Sequence, residues 1–475
     1  MKKILLLTLF ILFAFLAGKF YYISGDDGTY IAIARSMHLG EYAAINIPEE
    51  LPQIQYPPLY PLLIYPFAEL IPSNLGVIRL WNAILSLLAV VAITAIAIRR
   101  DPALGAVAAL PFILNPLFGE YATSIMPEPL FVALCYAVVL RIAIANENAN
   151  SRIDLFIPAG ILAAILLKPA ALPLFLTAIF WFAIKKRWRQ FAYTALIVIL
   201  GMLPWLLWQS SHGSDYIRSH IFQRDIYDPS KGSISFFEII YTRIPYNALR
   251  YIGRIFADVM LPPFFRSILP RSSLFIFKIA GSVGLFLLFI FGFYKKVRKK
   301  SIEVEDIFLF FMGLQYLIHP VFADRYLFTL LPTLTGYTLL AISNSKHRAA
   351  AAIIWSAILL LGSIISIETA IPKEEAAYIE TIEWLKENSK EGDLVIARKP
   401  TAVWFYTNRK AKGYPASSNW LDWDTRARFI IRDAFVIGVP ASRLYVDPVV
   451  NDTSLFSPVF VSGILHEVKV YEKRY

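Results

Sequence analysis

Two adjacent carboxylates, Asp26 and Asp27, lie in the segment 25–30 (Gly-Asp-Asp-Gly-Thr-Tyr), directly after the first apolar run of the chain. A carboxylate held at a membrane surface can act as the general base that deprotonates an acceptor hydroxyl. Aspartate is also a preferred helix N-cap, and the helix dipole favours negative charge at that end. Both interpretations stay open for this pair, and a helix is expected from here to about Met37.

A second acidic segment contains Glu120 and Glu128, and Glu128 precedes a long apolar run by one proline. A helix cap explains Glu128 as well as a functional role does. The functional interpretation is a second acid that shares a site with Asp26 and binds acceptor hydroxyls. If the reaction uses a divalent cation such as Mg²⁺ or Mn²⁺, Asp26 and Glu128 are its candidate ligands. The sequence contains no His-x-x-x-His or Cys-x-x-Cys pattern that would indicate a stronger metal site.

Arg325 and Tyr326 open a late apolar run, close to His319. Free N–H groups at a helix N-terminus favour an anion, and arginine adds a fork of donors that matches phosphate oxygens. The alternatives are that Arg325 snorkels to the interface or pairs with Asp324. Lys168 is a weaker phosphate candidate, because a Lys-Pro dipeptide is also an ordinary turn.

Aromatic and proline residues in the segment 55–61 (Gln-Tyr-Pro-Pro-Leu-Tyr-Pro) mark the return of the chain to the lipid. Tyr56 and Tyr60 suit the membrane interface, and paired prolines stiffen the backbone. An interfacial anchor and a substrate-lining role are both open for these tyrosines. The apolar stretch that follows, 59–72, is short and contains two prolines, which predicts a re-entrant or interfacial segment.

The composition indicates that membrane helices position these side chains. Of the 475 residues, 57% are hydrophobic and 17% are charged, whereas soluble domains contain about a quarter charged residues. Lys and Arg exceed Asp and Glu by 46 to 35, and much of the excess lies in short gaps between apolar runs. That distribution is the positive-inside signature and excludes nucleic-acid binding as the reason for the charge. The single cysteine, Cys135, can form no disulfide within the chain.

The apolar runs predict an all-α polytopic membrane bundle with about eleven spanning helices. The first run, 4–23, is interpreted as a retained helix, and a cleaved signal peptide is the alternative. The other predicted spans are 76–98, 103–118, 127–145, 153–167, 169–184, 190–208, 272–294, 303–319, 325–342 and 349–367.

A cytoplasmic N-terminus places every basic cluster on the cytoplasmic side of the plasma (inner) membrane. The loops on the opposite, outer side are 24–75, 119–126, 209–271 and 320–324, together with the tail. We therefore predict a membrane domain, 1–371, and an extracytoplasmic α/β domain, 372–475. In the tail, 374–388 is a predicted amphipathic helix, 393–397 and 443–446 are predicted buried strands, 426–437 is a predicted helix, and 468–475 is a predicted edge strand.

The placement of the polar residues favours an enzyme at the membrane face. Lys19, Arg79 and Lys278, which lie in the apolar runs, are near their outer ends, whereas pumps and ion-coupled transporters need charges along a buried path. A lipid or polysaccharide transporter or flippase is nevertheless the main alternative. A structural or signalling membrane protein is a third possibility, and it predicts no dependence on the acidic pair.

The order of these motifs resembles the GT-C superfamily of membrane glycosyltransferases, in particular the branch of dolichyl-phosphate-mannose protein mannosyltransferases and lipid A aminoarabinose transferases. The resemblance covers nearly the whole chain. It departs at Asp27, where glutamate is common, and at Lys168, where arginine is often seen. The residues that carry it are Asp26, Asp27, Tyr30, Pro57–Leu59, Glu128, Arg325, Tyr326 and the tail segments Trp384–Leu385 and Asp393–Arg398.

The resemblance implies transfer of a sugar from a polyprenyl-phosphate donor to a hydroxyl of a lipid, glycan or protein. By the resemblance, Asp26 or Asp27 is the catalytic base, and Arg325 binds the carrier phosphate with help from Tyr326 and Lys168. Glu128 and Glu120 are then the candidate second acids, and Tyr30, Tyr56, Tyr60 and His319 line the substrate. A single displacement at the anomeric carbon predicts inversion.

Overall fold

The computed structural model describes most of the chain. The described residues are 22–23, 25–70, 74–147, 153–213, 221–225, 231–268, 272–299, 302–365, 372–415, 417–435 and 442–474. The predicted first span, 4–23, falls almost wholly outside them, so the choice between a retained helix and a signal peptide stays a prediction.

Helices dominate the part that corresponds to the predicted membrane domain. Its first half contains α1 (Asp26–His38), α2 (Leu59–Leu70), α3 (Leu75–Arg100), α4 (Leu110–Ile113), α5 (Pro116–Thr123), α6 (Glu128–Glu147), α7 (Phe156–Leu167), α8 (Leu172–Ile184) and α9 (Trp188–Ser211). Its second half contains α10 (Phe236–Glu238), α11 (Ile244–Arg250), α12 (Phe256–Met260), α13 (Pro262–Phe265), α14 (Phe275–Lys299), α15 (Val304–Ile318), α16 (Asp324–Leu340) and α17 (Ser345–Ile365).

The predicted span 103–118 is wrong as one continuous helix. A 3₁₀ turn over Gly105–Ala109 leads into α4, and α5 begins separately at Pro116. The break has a local cause, because the Asn115 side chain accepts a hydrogen bond from Leu117 N and caps α5. Pro116 has no N–H to continue α4 and is suited to the first position of the next helix.

Helix α16 lies in the centre of the bundle, and α9 and α14 lie on its outside. Every residue from Tyr326 to Leu339 is buried, whereas most of α9 and α14 is exposed although both helices are apolar. Exposed apolar helix faces suit contact with lipid chains. The residue at the N-terminus of α16, Arg325, is therefore held by a rigid central helix.

Four helices in the described residues have the length and composition to cross a membrane: α3, most of α6, α9 and α14. Helices α7 and α8 are apolar but shorter. These helices and the apolar composition identify the chain as an integral membrane protein. The predicted total of about eleven spans and the predicted orientation stay predictions.

The tail folds as the predicted small α/β domain. Helix α18 (Lys373–Asn388) and helix α19 (Pro400–Thr407) accompany a sheet of β1 (Leu394–Ile396), β2 (Ala411–Lys412), β3 (Ala427–Arg432), β4 (Phe456–Val461) and β5 (Lys469–Lys473), with α20 (Asp447–Val450) before β4. The strand order is β2-β1-β3-β5-β4. Strand β1 runs parallel to both of its neighbours, and β5 runs antiparallel to β3 and β4.

Three of the predictions for the tail are wrong. Residues 427–432, predicted as helix, form the central strand β3, because Phe429, Ile430 and Ile431 are buried on both faces of the sheet. Residues 443–446, predicted as a strand, form a helical turn that leads into α20. Strand β5, predicted at the edge, is paired on both sides, and β4 is the edge strand instead.

The tail is attached to residues 46–50, in the loop between α1 and α2, along the edge of β2. The backbone N–H of Ala411 donates to the carbonyl of Asn46 at 2.8 Å, and Lys412 pairs with Glu49 at 2.7 Å. Lys410 pairs with Glu50. The turns over residues 45–49 therefore lie beside the edge of the sheet.

Candidate active site

Asp26 is the first residue of α1, and it joins two segments that are remote in the sequence. Its Oδ2 accepts a hydrogen bond from Arg325 Nη1 at 2.8 Å, and its Oδ1 accepts one from the Tyr56 hydroxyl at 2.7 Å. The side chains of Asp26 and Arg325 are each 33% exposed, so a ligand can reach both. The structure thus brings a candidate base and a candidate phosphate ligand into direct contact.

These contacts determine the charge of the Asp26 carboxylate. Burial raises its pKa, but the positive charge of Arg325 and the hydrogen bond from Tyr56 outweigh burial and leave the pKa below its ordinary value of 3.8. Burial raises the pKa of Tyr56 well above 10, and the negative charge of Asp26 adds to that effect. Near neutral pH, Asp26 is therefore ionised and the Tyr56 hydroxyl keeps its proton.

The neighbouring Asp27 is buried and is engaged in the turn that begins α1. Its Oδ1 accepts the backbone N–H of Gly25 at 2.7 Å and that of Gly28 at 2.8 Å. The N-cap of α1 is Gly25, so neither aspartate is the cap itself, but Asp27 stabilises the first turn of the helix by accepting from its backbone. Asp26, by contrast, contacts the side chains of Arg325 and Tyr56.

Glu128 and Lys168 form a second, more deeply buried ion pair near Asp26. Lys168 Nζ donates to Glu128 Oε1 at 2.7 Å, and the Glu128 residue is 1% exposed. The other carboxylate oxygen of Glu128 is buried and has no hydrogen-bond partner among the described residues. The charge of Lys168 helps to lower the pKa of Asp26, so the two ion pairs lie in one electrostatic environment.

Tyr30, Tyr56 and Tyr60 form an aromatic wall beside Asp26. The ring of Tyr30 contacts Tyr56 edge-on at a centroid distance of 5.1 Å and Tyr60 at 4.8 Å. The Tyr60 hydroxyl donates to Asn82 Oδ1 at 3.1 Å, and the Asn82 amide donates to the Ser124 carbonyl at 2.7 Å. Asn82 thus ties α2 and α3 to the loop before α6, a role that its position in an apolar helix did not indicate.

Arg325 rests on a stack of rings at the start of α16. Its guanidinium lies 5.5 Å from the centroid of the Tyr326 ring. Tyr326 stacks on Tyr316 at 5.5 Å and meets the His319 ring edge-on at 4.9 Å. Tyr326, a predicted phosphate ligand, thus lies against Arg325, and the predicted lining residue His319 lies behind it. The other three predicted lining residues, the tyrosines of the wall, lie on the side of Asp26.

Glu120 belongs to a separate, exposed ion cluster. Arg266 pairs with Glu120 and, at 3.3 Å, with Asp324. Because Asp324 is paired with Arg266, the side chain of Arg325 pairs with Asp26 rather than with Asp324, its neighbour in sequence. Sequence reasoning missed Arg266. No local signal singles it out, because the predicted outer loop 209–271 contains several arginines and the positive-inside rule applies to short loops.

The described residues contain no group of three or more His, Cys, Asp or Glu side chains placed to hold a metal ion. Asp26 and Glu128, the candidate ligands for a divalent cation, each face a cationic side chain instead. The arrangement does not fit a bound divalent cation.

The tail contacts the backbone just before Asp26 through α19, which the sequence did not predict. Thr401 Oγ1 donates to the Gly25 carbonyl at 3.1 Å, and Ile23 N donates to the Tyr406 hydroxyl at 3.0 Å. A Cβ at Gly28 would lie 2.7 Å from Thr401 Cβ, so the approach of α19 to α1 requires glycine there. The turn that carries both aspartates is therefore held from the side of the tail.

Solved structures with the same architecture are known. The chain superposes on ArnT from Cupriavidus metallidurans bound to undecaprenyl phosphate with a TM-score of 0.61 and 14% identity, over 98% of this chain and 97% of that one. The apo state of the same ArnT gives a TM-score of 0.58 at 14% identity with the same coverage. An Archaeoglobus fulgidus oligosaccharyltransferase, in complex with Zn and sulfate, gives 0.55 at 12% identity over 89% of this chain and 67% of that one.

These neighbours are GT-C glycosyltransferases. The chain has the GT-C fold. No family model matches the sequence, and no curated protein matches it either. The fold that the resemblance implied is therefore confirmed by structure, at a sequence identity too low to carry an activity with it.

Proposed function

We propose that this protein is a glycosyltransferase that moves a sugar from a polyprenyl-phosphate carrier to an acceptor hydroxyl. The observation that carries the proposal is the contact of Asp26 with Arg325 at an exposed edge of a GT-C fold. The solved ArnT structure that shares this fold holds undecaprenyl phosphate, and this supports a carrier of the same class for this chain.

Arg325 is the proposed ligand of the carrier phosphate. It stands at the N-terminus of α16, where free backbone N–H groups also favour an anion. Its guanidinium, on a side chain that is one-third exposed, has donors that match phosphate oxygens in geometry and charge. When the phosphate leaves the sugar, this positive charge stabilises the developing negative charge on the leaving oxygen.

Asp26 is the proposed general base. Its ion pair with Arg325 keeps its pKa low, so that it is a weak base until the donor is bound. A donor phosphate competes for Arg325, and a carboxylate that loses this cation retains the effect of burial, which raises its pKa. Asp26 then takes the proton of the acceptor hydroxyl. The acceptor oxygen bonds to the anomeric carbon, the bond from that carbon to the phosphate oxygen breaks, and its electron pair stays on the phosphate. One such displacement inverts the anomeric centre.

Glu128 and Lys168 are proposed to orient the substrates. The free carboxylate oxygen of Glu128 can accept a hydrogen bond from a sugar or acceptor hydroxyl, which would satisfy a buried atom that has no protein partner among the described residues. Lys168 holds the other carboxylate oxygen of Glu128 and adds positive charge near the carrier phosphate.

The predicted topology puts this site on the outer face of the plasma membrane, opposite the lysine-rich turns. An acceptor on that side is a lipid, a glycan or a protein, and the hydroxyl chemistry is the same for all three. The extracytoplasmic tail is then placed where it can contact the acceptor.

The test is transfer by the purified full-length protein. It is incubated with a panel of radiolabelled polyprenyl-phosphate sugars and membrane lipids, and the products are separated from the carrier. Label on a product other than the carrier, with the anomeric configuration inverted, is the expected result. Absence of transfer from every donor on the panel, with folded protein, would contradict the proposal.

A further inference from the structure

A cationic cleft lies at the end of the bundle remote from Asp26. Helix α3 connects the two regions, because Asn82 contacts Tyr60 of the aromatic wall and Arg100 lines the cleft. The 18 residues between them span about 27 Å at 1.5 Å per residue. The charged lining residues are Arg100, Lys295, Lys296, Lys299, Glu303 and Arg348.

Three of the five cations form a fixed frame for the cleft. Arg100 pairs with Glu305, and Lys296 pairs with Asp306. Arg348 pairs with Asp101 at 2.9 Å. These cationic side chains are at most 15% exposed, and they join α3, α14, α15 and α17. Buried pairs of this kind hold geometry even where they add little net stability.

Three donors of the cleft, Lys295 Nζ, Lys299 Nζ and the Nε atom of Arg348, contact no carboxylate in the described part of the chain. Lys295 Nζ donates to two neutral atoms, the Ala341 carbonyl at 2.8 Å and the Ser343 hydroxyl at 2.9 Å. No carboxylate among the described residues lies within ion-pair distance of Lys295 or of the exposed Lys299. The Nε of Arg348 is buried and has no hydrogen-bond partner in the same set of residues.

We propose that this cleft binds a phosphate group, and that in a membrane the ligand is the headgroup of an anionic phospholipid. A phosphate has several oxygens that can accept hydrogen bonds from separate donors, as Lys295, Lys299 and Arg348 Nε would require. The cleft lies among the basic clusters that predict the cytoplasmic face, and basic pockets between membrane helices bind anionic headgroups there. The inference does not depend on glycosyl transfer at Asp26.

Native mass spectrometry of the full-length protein in detergent tests the proposal. Phosphatidylglycerol, phosphatidylcholine and inorganic phosphate are titrated separately. The test variant is Lys295→Gln/Lys299→Gln, which removes both unpaired lysines. The matched control is Lys185→Gln/Lys186→Gln, which removes two lysines from another predicted lysine-rich turn on the same side.

Phosphatidylglycerol should bind the wild type more tightly than phosphatidylcholine does. Loss of two lysines should weaken its binding by roughly thirty-fold, about five-fold for each residue, and the control should match the wild type. Binding of inorganic phosphate with the same dependence on Lys295 and Lys299, without a lipid adduct, would support the site and make the source a soluble phosphate. Equal weakening in both double variants, no weakening in either, or no preference for phosphatidylglycerol would overturn the proposal.

Discussion

The substitution Asp26→Asn separates the proposed general base from the structural roles of the same side chain. Asparagine has nearly the same shape, can still accept the hydrogen bond from Tyr56, and can still occupy the start of α1. It cannot take a proton from an acceptor hydroxyl near neutral pH. It also carries no charge to pair with Arg325.

The expected loss is large in rate and small in stability. General-base assistance is worth about 10²–10⁴ in rate, which corresponds to about 3–5 kcal/mol of activation free energy. The ion pair with Arg325 is a third exposed on both sides, and pairs that contact solvent contribute about 0–1 kcal/mol to folding. A fall in rate of this size without a comparable fall in the free energy of unfolding identifies a chemical role.

The assay compares initial rates of sugar transfer by wild type, Asp26→Asn and Asp27→Asn at saturating donor, together with thermal unfolding of each protein. Asp27→Asn is the matched control, because asparagine keeps an acceptor oxygen for the N–H groups of Gly25 and Gly28. It should stay close to the wild-type rate. An Asp26→Asn protein that retains more than about a tenth of the wild-type rate would refute the base assignment. Loss in Asp27→Asn alone would move the base to the other aspartate.

Four further outcomes are expected. Arg325→Ala should lower kcat/KM for the donor by about ten- to hundred-fold, which is the worth of a charged hydrogen bond. Steady-state kinetics with donor and acceptor varied in turn would disprove this if only the KM for the acceptor changed. Burial raises the pKa of Asp26 and the charge of Arg325 lowers it, so Arg325→Ala should shift the acid limb of the pH profile of kcat/KM to higher pH. If the limb stays where it is in a pH–rate series, Asp26 is not the group whose titration produces it. The Asp26–Arg325 pair also stabilises the fold above pH 3.8, and this contribution should be lost as the pH falls through the lowered pKa of Asp26. Acid unfolding of the wild type and of Arg325→Ala, measured side by side, would show the difference. Thr401→Val removes the hydrogen bond to the Gly25 carbonyl and should lower kcat by about two- to ten-fold. If Tm falls while kcat per folded molecule is unchanged, Thr401 has a structural role only.

The sequence singled out the residues of the candidate site but not their contacts. Asp26 follows an apolar run, whereas Glu128 and Arg325 begin one, and the order of the runs puts all three on one predicted face from hydropathy and charge alone. The ion pair between Asp26 and Arg325 joins residues 299 positions apart, and no local pattern encodes such a pairing. That Arg325 pairs with Asp26 also depends on Arg266, which forms an ion pair with Asp324.

The errors in the fold come from segments where two local preferences compete. The run 426–432 contains three consecutive apolar residues between arginines, a pattern that fits a helix and a doubly buried strand equally well. Pairing with β1 and β5 decided for the strand. In 103–118, hydropathy favoured a span, but the capping of α5 by Asn115 divided it.

The edge of β2 has a consequence for engineering. Since residues 46–50 lie against this strand and pair with Lys410 and Lys412, the tail and the first loop form one joint surface. A chimera that exchanges the tail alone would set unmatched charges against residues 46–50. The tail should therefore be exchanged between homologous chains only together with the segment 46–50.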